Sequence, residues 1–117
     1  MTQWVVFGAN ITNIASDAFA NCTKFTDITI PNLVTNIGNG AFEGCTGLKT
    51  VVIGSEVTNI SGSAFKNCTG LTSVTLYNKI TYIGSQAFDN CTNLSYVKYE
   101  GTKAQWNSTF FAKIMIV

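Results

Sequence analysis

The chain has 117 residues, the scale of one domain, and with 46% hydrophobic and 11% charged residues it is too apolar for intrinsic disorder. Its 7 lysines and 6 acidic residues give a net charge of +1, with no basic stripe or charged tail, which argues against a nucleic-acid partner. No stretch approaches the roughly 20 apolar residues that a membrane-crossing helix needs, so no membrane insertion is expected.

The segment Met1–Gly8 has neither a charged start nor a long apolar core, so it does not read as a secretory signal. Two expectations stay open: a mature intracellular protein, or a piece of a longer exported one. Val5 and Phe7 stand 23 residues before Ile28 and Ile30. Residues 1–10 therefore read as a half repeat that donates a first strand.

From residue 11 to residue 100 the chain repeats itself four times with a step of 23. The ladders are Thr12, Thr35, Thr58, Thr81; then Ile14, Ile37, Ile60, Ile83; then Ala18, Ala41, Ala64, Ala87; then Phe19, Phe42, Phe65, Phe88. Cys22, Cys45, Cys68 and Cys91 follow, then Phe25, Leu48, Leu71 and Leu94. Ile28, Val51, Val74, Val97 and Ile30, Ile53, Leu76, Tyr99 complete the set. Such periodicity is the signature of a stacked array, in which one unit cannot bury its apolar flank alone.

Within each unit the second half alternates. Leu71, Val74 and Leu76 face one way and Ser73, Thr75 and Tyr77 the other, which predicts a short strand. In the first half, Ser16, Asn39, Gly62 or Ser85 precedes the Ala-Phe pair, and three of these four are good helix N-caps. This predicts one turn of α-helix or 3₁₀ helix. Beyond the array, counting 23 forward from Ile83, Phe88, Cys91 and Leu94 gives Trp106, Phe111, Ile114 and Val117. Lys103 then stands where Val or Ile is expected, and Phe110 where Ala is. Residues 101–117 read as a degenerate fifth coil that caps the open end, and the whole chain as a single domain.

The run Val34-Thr35-Asn36-Ile37-Gly38-Asn39-Gly40-Ala41-Phe42-Glu43-Gly44-Cys45-Thr46-Gly47-Leu48 closely resembles the BspA-like leucine-rich repeat, also called the Treponema pallidum type. Residues 11–99 follow that pattern throughout, and the segment Tyr99–Asn107 resembles the tail that often follows such arrays. The resemblance implies a leucine-rich-repeat solenoid of the α/β class: a strand plus a short helix or 3₁₀ turn per repeat, with a single parallel sheet on the concave face. It also implies a bacterial cell-surface or secreted setting, with adhesion to host or matrix proteins as a common role and no shared catalytic residues.

Chemistry has little to work with. The chain has no His, so Ser-His and Cys-His pairs are impossible. The carboxylates Asp17, Asp27, Glu43, Glu56, Asp89 and Glu100 are scattered through the repeat. Neither a phosphate-binding loop nor a cofactor motif is present. The four Cys form a row without His or a Cys-x-x-Cys spacing, which argues against a metal. Neighbouring strands about 4.7–4.9 Å apart would permit disulfides by distance, but parallel side chains suit the disulfide torsion poorly, and a reduced, buried row is expected. The triplets starting at Asn10, Asn21, Asn67 and Asn90 could accept glycans, yet as repeat-borne turn residues they read as backbone partners.

The outward strand positions carry the individuality. Their first column is Trp4, Asp27, Thr50, Ser73, Tyr96; the second is Val6, Thr29, Val52, Thr75, Lys98; the third is Gly8, Pro31, Gly54, Tyr77, Glu100. Tyr77, Tyr96, Lys98 and Glu100 gather in the last coils, an interface-like mixture of aromatics and charges. The expected function is non-catalytic recognition of another protein through this face. A structural spacer or self-assembling array that associates end to end is the alternative. A carbohydrate site built on Tyr77 and Tyr96 is a third reading.

Overall fold

Two short strands per coil pair in parallel with their counterparts in the next coil. The computed structural model describes residues 7, 8, 10–108, 110 and 111, with the side chains of 108, 110 and 111 left aside. In chain order the elements are β1 (Asn13–Ile14), β2 (Asp27–Thr29), β3 (Asn36–Ile37), β4 (Thr50–Val52), β5 (Asn59–Ile60), β6 (Ser73–Tyr77), β7 (Tyr82–Ile83), β8 (Tyr96–Glu100), α1 (Lys103–Ser108) and β9 (Phe110–Phe111). One sheet runs β2-β4-β6-β8 and the other β1-β3-β5-β7-β9. The register repeats with the 23-residue step, Ile14 beside Ile37 and Ile28 beside Val51, and so on up the stack.

The solenoid expected from the sequence is therefore present, and two of its details differ. Among the described residues there are two parallel sheets where a single one was expected. The second arises because Thr12-Asn13-Ile14 and its equivalents also run extended and stack. Thr35, Thr58 and Thr81 each donate a hydroxyl to the carbonyl of the Thr one coil earlier, at 3.3, 3.2 and 3.1 Å. Asn36 and Asn59 form an amide ladder on Asn13, the Asn36–Asn13 bond being 2.7 Å.

The expected helical turn between the sheets is a run of β-turns instead. Ala18, Ala20 and Cys22 donate to the carbonyls of Ala15, Asp17 and Phe19, three residues back. The intervening Asp17, Phe19 and Asn21 donate to Asn39, Ala41 and Glu43 of the next coil. A helix would keep all these N–H groups to itself. The alternation requires left-handed residues at two positions per coil. These are Asp17, Gly40, Ser63 and Gln86 at one, and Asn21, Gly44, Asn67 and Asn90 at the other, with φ between 58° and 75°. In the turns Ala15–Ala18 and Phe19–Cys22 the left-handed residue is the third of four, the position at which a type II turn demands positive φ. Ser and Asn at the start of the run are thus turn residues and not helix caps.

The core is the set of ladders. Ile37, Phe42, Cys45, Leu48, Ile60, Phe65, Cys68, Leu71 and Leu76 are completely buried. The Phe19, Phe42, Phe65 and Phe88 rings stack face to face, with centroids 5.3, 5.2 and 5.3 Å apart and planes within 10°. Close packing fixes some small residues: a Cβ on Gly38 would lie 2.6 Å from the Ser16 backbone nitrogen of the preceding coil.

The end of the array departs from the 23-residue count. β9 pairs with β7 so that Ile83 faces Phe111, not Trp106. The extra residues wind into α1, opened by a reciprocal capping box: Thr102 N donates to Gln105 Oε1 at 2.8 Å and Gln105 N to Thr102 Oγ1 at 3.1 Å. Lys103 is accordingly the first residue of α1 and does not replace a core Val or Ile. Trp106 sits edge-on to Tyr99, centroids 5.0 Å apart, closing over the last inward position of β8. Phe7 meets Phe19 edge-on at 5.8 Å at the opposite end. Trp4, Val5, Val6, Ile114 and Val117 lie outside the described residues.

Candidate interaction face

The sheet β2-β4-β6-β8 points Ile28, Val51, Val74 and Val97 inward and leaves its alternate residues outside. Strand length grows from three residues in β2 and β4 to five in β6 and β8, so the outer face widens toward the C-terminal coils.

The pairing places the expected columns side by side. Asp27, Thr50, Ser73 and Tyr96 are consecutive partners, as are Thr29, Val52, Thr75 and Lys98, and Tyr77 faces Glu100. At the N-terminal end the face is small and self-satisfied. The Asp27 carboxylate accepts the hydroxyls of Thr50 and Thr26, and Thr29 beside it is exposed. In the centre, Thr50, Val52, Ser73 and Thr75 are half-buried. At the C-terminal end Tyr96 is 58% exposed, and Lys98 Nζ lies 3.0 Å from Glu100 Oε2. The Glu100 carboxylate holds the Lys98 ammonium above its usual pKa, with Tyr96 and Tyr77 as further electrostatic neighbours. The structure thus brings Tyr77, Tyr96, Lys98 and Glu100 together on two adjacent strands, while Asp27 and Thr29 lie on the far strand of the sheet. Trp4, the remaining candidate, lies outside the described residues.

Two surface features escaped the sequence reading. Leu33 is 51% exposed in the turn after β2. Its signal is a break in composition, since the equivalent positions are Glu56 and Lys79, which pair at 2.9 Å. The Asn13-Asn36-Asn59 ladder lines the second sheet, and its signal is the 23-residue recurrence of Asn directly ahead of the Ile ladder.

The cysteine row is occupied internally. Cys45, Cys68 and Cys91 each point Sγ at the carbonyl of Phe19, Phe42 and Phe65 of the coil before, all at 3.2 Å. All four cysteines are free thiols. Burial pushes the Cys45 and Cys91 thiols up to about 11 and Cys68 higher still, so these sulfurs are poor nucleophiles at neutral pH. Among the described residues no group of three or more His, Cys, Asp or Glu could hold a metal ion, and no helix is long and apolar enough to cross a membrane. Of two shallow hollows at the first coil, one is lined by Phe7, Ile11 and Phe19 and the other by Cys22 and Phe25.

Comparison with known proteins agrees with this geometry. The family profile described as "BspA type Leucine rich repeat region" matches residues 2–116 in six copies. Among solved structures, a leucine-rich cell surface protein from Faecalibacterium prausnitzii is 28% identical with a TM-score of 0.66, covering 87% of this chain and 33% of that one. A leucine-rich repeat protein from Bacteroides ovatus is 26% identical with a TM-score of 0.68, covering 85% of this chain and 34% of that one. The T. pallidum leucine-rich repeat protein is 25% identical with a TM-score of 0.62, covering 74% and 51%. This chain thus spans a third to a half of the length of these relatives. No curated protein matches it. With the repeat, the ladders and the profile in accord over nearly its whole length, the chain belongs to the family of BspA-type leucine-rich repeat proteins.

Proposed function

We propose that this chain is a non-catalytic recognition module that binds another protein through the outer face of β4, β6 and β8, in a cell-surface or secreted setting. The observation that carries the reading is the cluster of Tyr77, Tyr96, Lys98 and Glu100 on a hydrogen-bonded sheet whose remaining outward residues are small. Exposed aromatics beside charges provide contact area at low entropic cost, and small Thr, Ser and Val columns allow a partner to approach closely. A host, matrix or surface protein is the class of partner that fits. The cell-surface description of the F. prausnitzii relative supports the setting. Residues 101–117 serve in this reading as the cap of the array, and the whole chain as one domain.

The test is a binding assay on a panel of immobilised matrix glycoproteins with the wild-type chain and a Tyr77→Ala/Tyr96→Ala double variant. The reading expects a bound glycoprotein whose affinity falls by about tenfold or more in the double variant, with unchanged circular dichroism. Equal binding by both forms would move recognition off this face. A glycan-array signal lost in the same variant would favour a carbohydrate ligand.

A further inference from the structure

The second coil holds the only Asn-Gly pair of the chain, Asn39-Gly40. Such a pair can react with itself. The Gly nitrogen attacks the side-chain carbonyl carbon of the Asn, and a glycine has no Cβ to hinder it. The N–H proton of Gly40 passes to a solvent base, the side-chain amide leaves as ammonia, and a five-membered succinimide forms. Water then opens the ring at either carbonyl, leaving aspartate or its backbone isomer isoaspartate. Every other Asn is followed by a residue whose side chain crowds that nitrogen.

The coil stack opposes this chemistry. Asn39 is exposed, but Gly40 is buried. Ala41 N donates to Gly38 O at 3.1 Å, and Gly40, third of these four residues, has φ of 63°. Asn39 is thus the second residue of a type II turn, where ψ is about +120°. Ring closure needs Gly40 N eclipsed with the Asn39 Cβ about the Cα–C bond, and at that ψ the nitrogen points well away from the side chain. The peptide is also tied on both sides. Gly40 N donates to Gly62 O of the third coil at 3.1 Å, and Asn39 O accepts from Asp17 N of the first at 2.9 Å. Both bonds must break before the peptide can rotate. The products fit this place badly. Isoaspartate routes the main chain through the side chain and adds a carbon to a turn held by both neighbouring coils. Aspartate brings a third carboxylate next to those of Asp17 and Glu43, whose oxygens lie 2.5 and 3.2 Å from the position of a Cβ on Gly40. We propose that Asn39 is a spontaneous modification site gated by the stack: closed coils protect it, and a chain that opens between its first three coils is marked irreversibly and packs less well afterwards.

Peptide mapping by mass spectrometry tests this, on the full chain incubated in mildly alkaline buffer with and without urea. In urea, Asn39 should gain one dalton before any other asparagine does. In the folded chain it should react at least about tenfold more slowly, because the rate scales with the fraction of chains that are locally open. Phe65→Ala removes the ring that stacks on Phe42 of the second coil and leaves the turn untouched, so it should raise the folded rate severalfold. The product variant Asn39→Asp should lower the urea midpoint, whereas Asn39→Ser, small and neutral, should not. Equal rates in the two conditions overturn the proposal. So do another asparagine reacting first in urea, a folded rate indifferent to Phe65→Ala, or an Asn39→Asp midpoint no lower than that of the wild type.

Discussion

Phe65→Ala is the sharpest perturbation of the core. Phe65 is completely buried and lies between Phe42 and Phe88, with ring centroids at 5.2 and 5.3 Å. Removing it leaves a cavity enclosed by neighbouring coils whose backbones are tied by turn and strand hydrogen bonds, so the site cannot collapse. The loss expected for such a buried Phe is about 3–5 kcal/mol. That is a large share of the roughly 5–15 kcal/mol by which a domain of this size is stable. Phe19→Ala offers the internal control. Its ring is half-buried and stacks on only one side, against Phe42 at 5.3 Å, so its loss should be about half as large. Urea unfolding followed by circular dichroism reads both midpoints. A loss below about 1 kcal/mol for Phe65→Ala, or equal losses at the two positions, would refute the account of a stacked ring row anchored in the middle of the array.

Two further outcomes follow from the turns and the thiols. Gln86 has φ of 61° in a column where Gly40 also stands, so Gln86→Gly should stabilise by about 0.5–1 kcal/mol, the left-handed strain relieved less the added freedom of the unfolded chain; a destabilisation read from the urea midpoint would contradict the turn assignment. The raised thiols give a defined pH dependence. Their folded pKa values lie above the value of 9.0 expected in the unfolded chain, about 11 for Cys45 and Cys91. Their contribution to stability is thus fully present below pH 9 and is lost progressively as pH rises toward 11. Urea midpoints that fall over that range check the sign, and iodoacetamide labelling of Cys45, Cys68 and Cys91 should require unfolding.

The ladder positions were legible in the sequence because burial and stacking repeat with the chain. Every Phe, Cys and Ile of the four units sits in the row its spacing assigned, and so do the first two outward columns of β2, β4, β6 and β8, whereas Gly54 of the third column is buried. What the sequence obscured was local. Ser16 and Asn39 before Ala-Phe suit a helix cap and a turn equally, and propensity does not reveal that every second N–H bonds to the next coil. The better signal was Gly40, Gly44, Asn21, Asn67 and Asn90, residues that tolerate positive φ, recurring at two fixed phases. The final coil was misaligned because Trp106 and Phe111 both satisfy an apolar count. Only the capping box of Thr102 and Gln105 marks the inserted helix that shifts the register. The face on β6 and β8 was identified from its composition.

Nuclear Overhauser contacts in the isotope-labelled chain probe the whole architecture at once. Successive coils in register should give cross-peaks between residues 23 apart, Asn36 with Asn59 and the ring of Phe42 with that of Phe65, alongside Ile83 with Phe111. A continuous series of contacts four residues apart through 39–45, with the rings of Phe42 and Phe65 remote from each other, would mean isolated helical turns and no stacked coils.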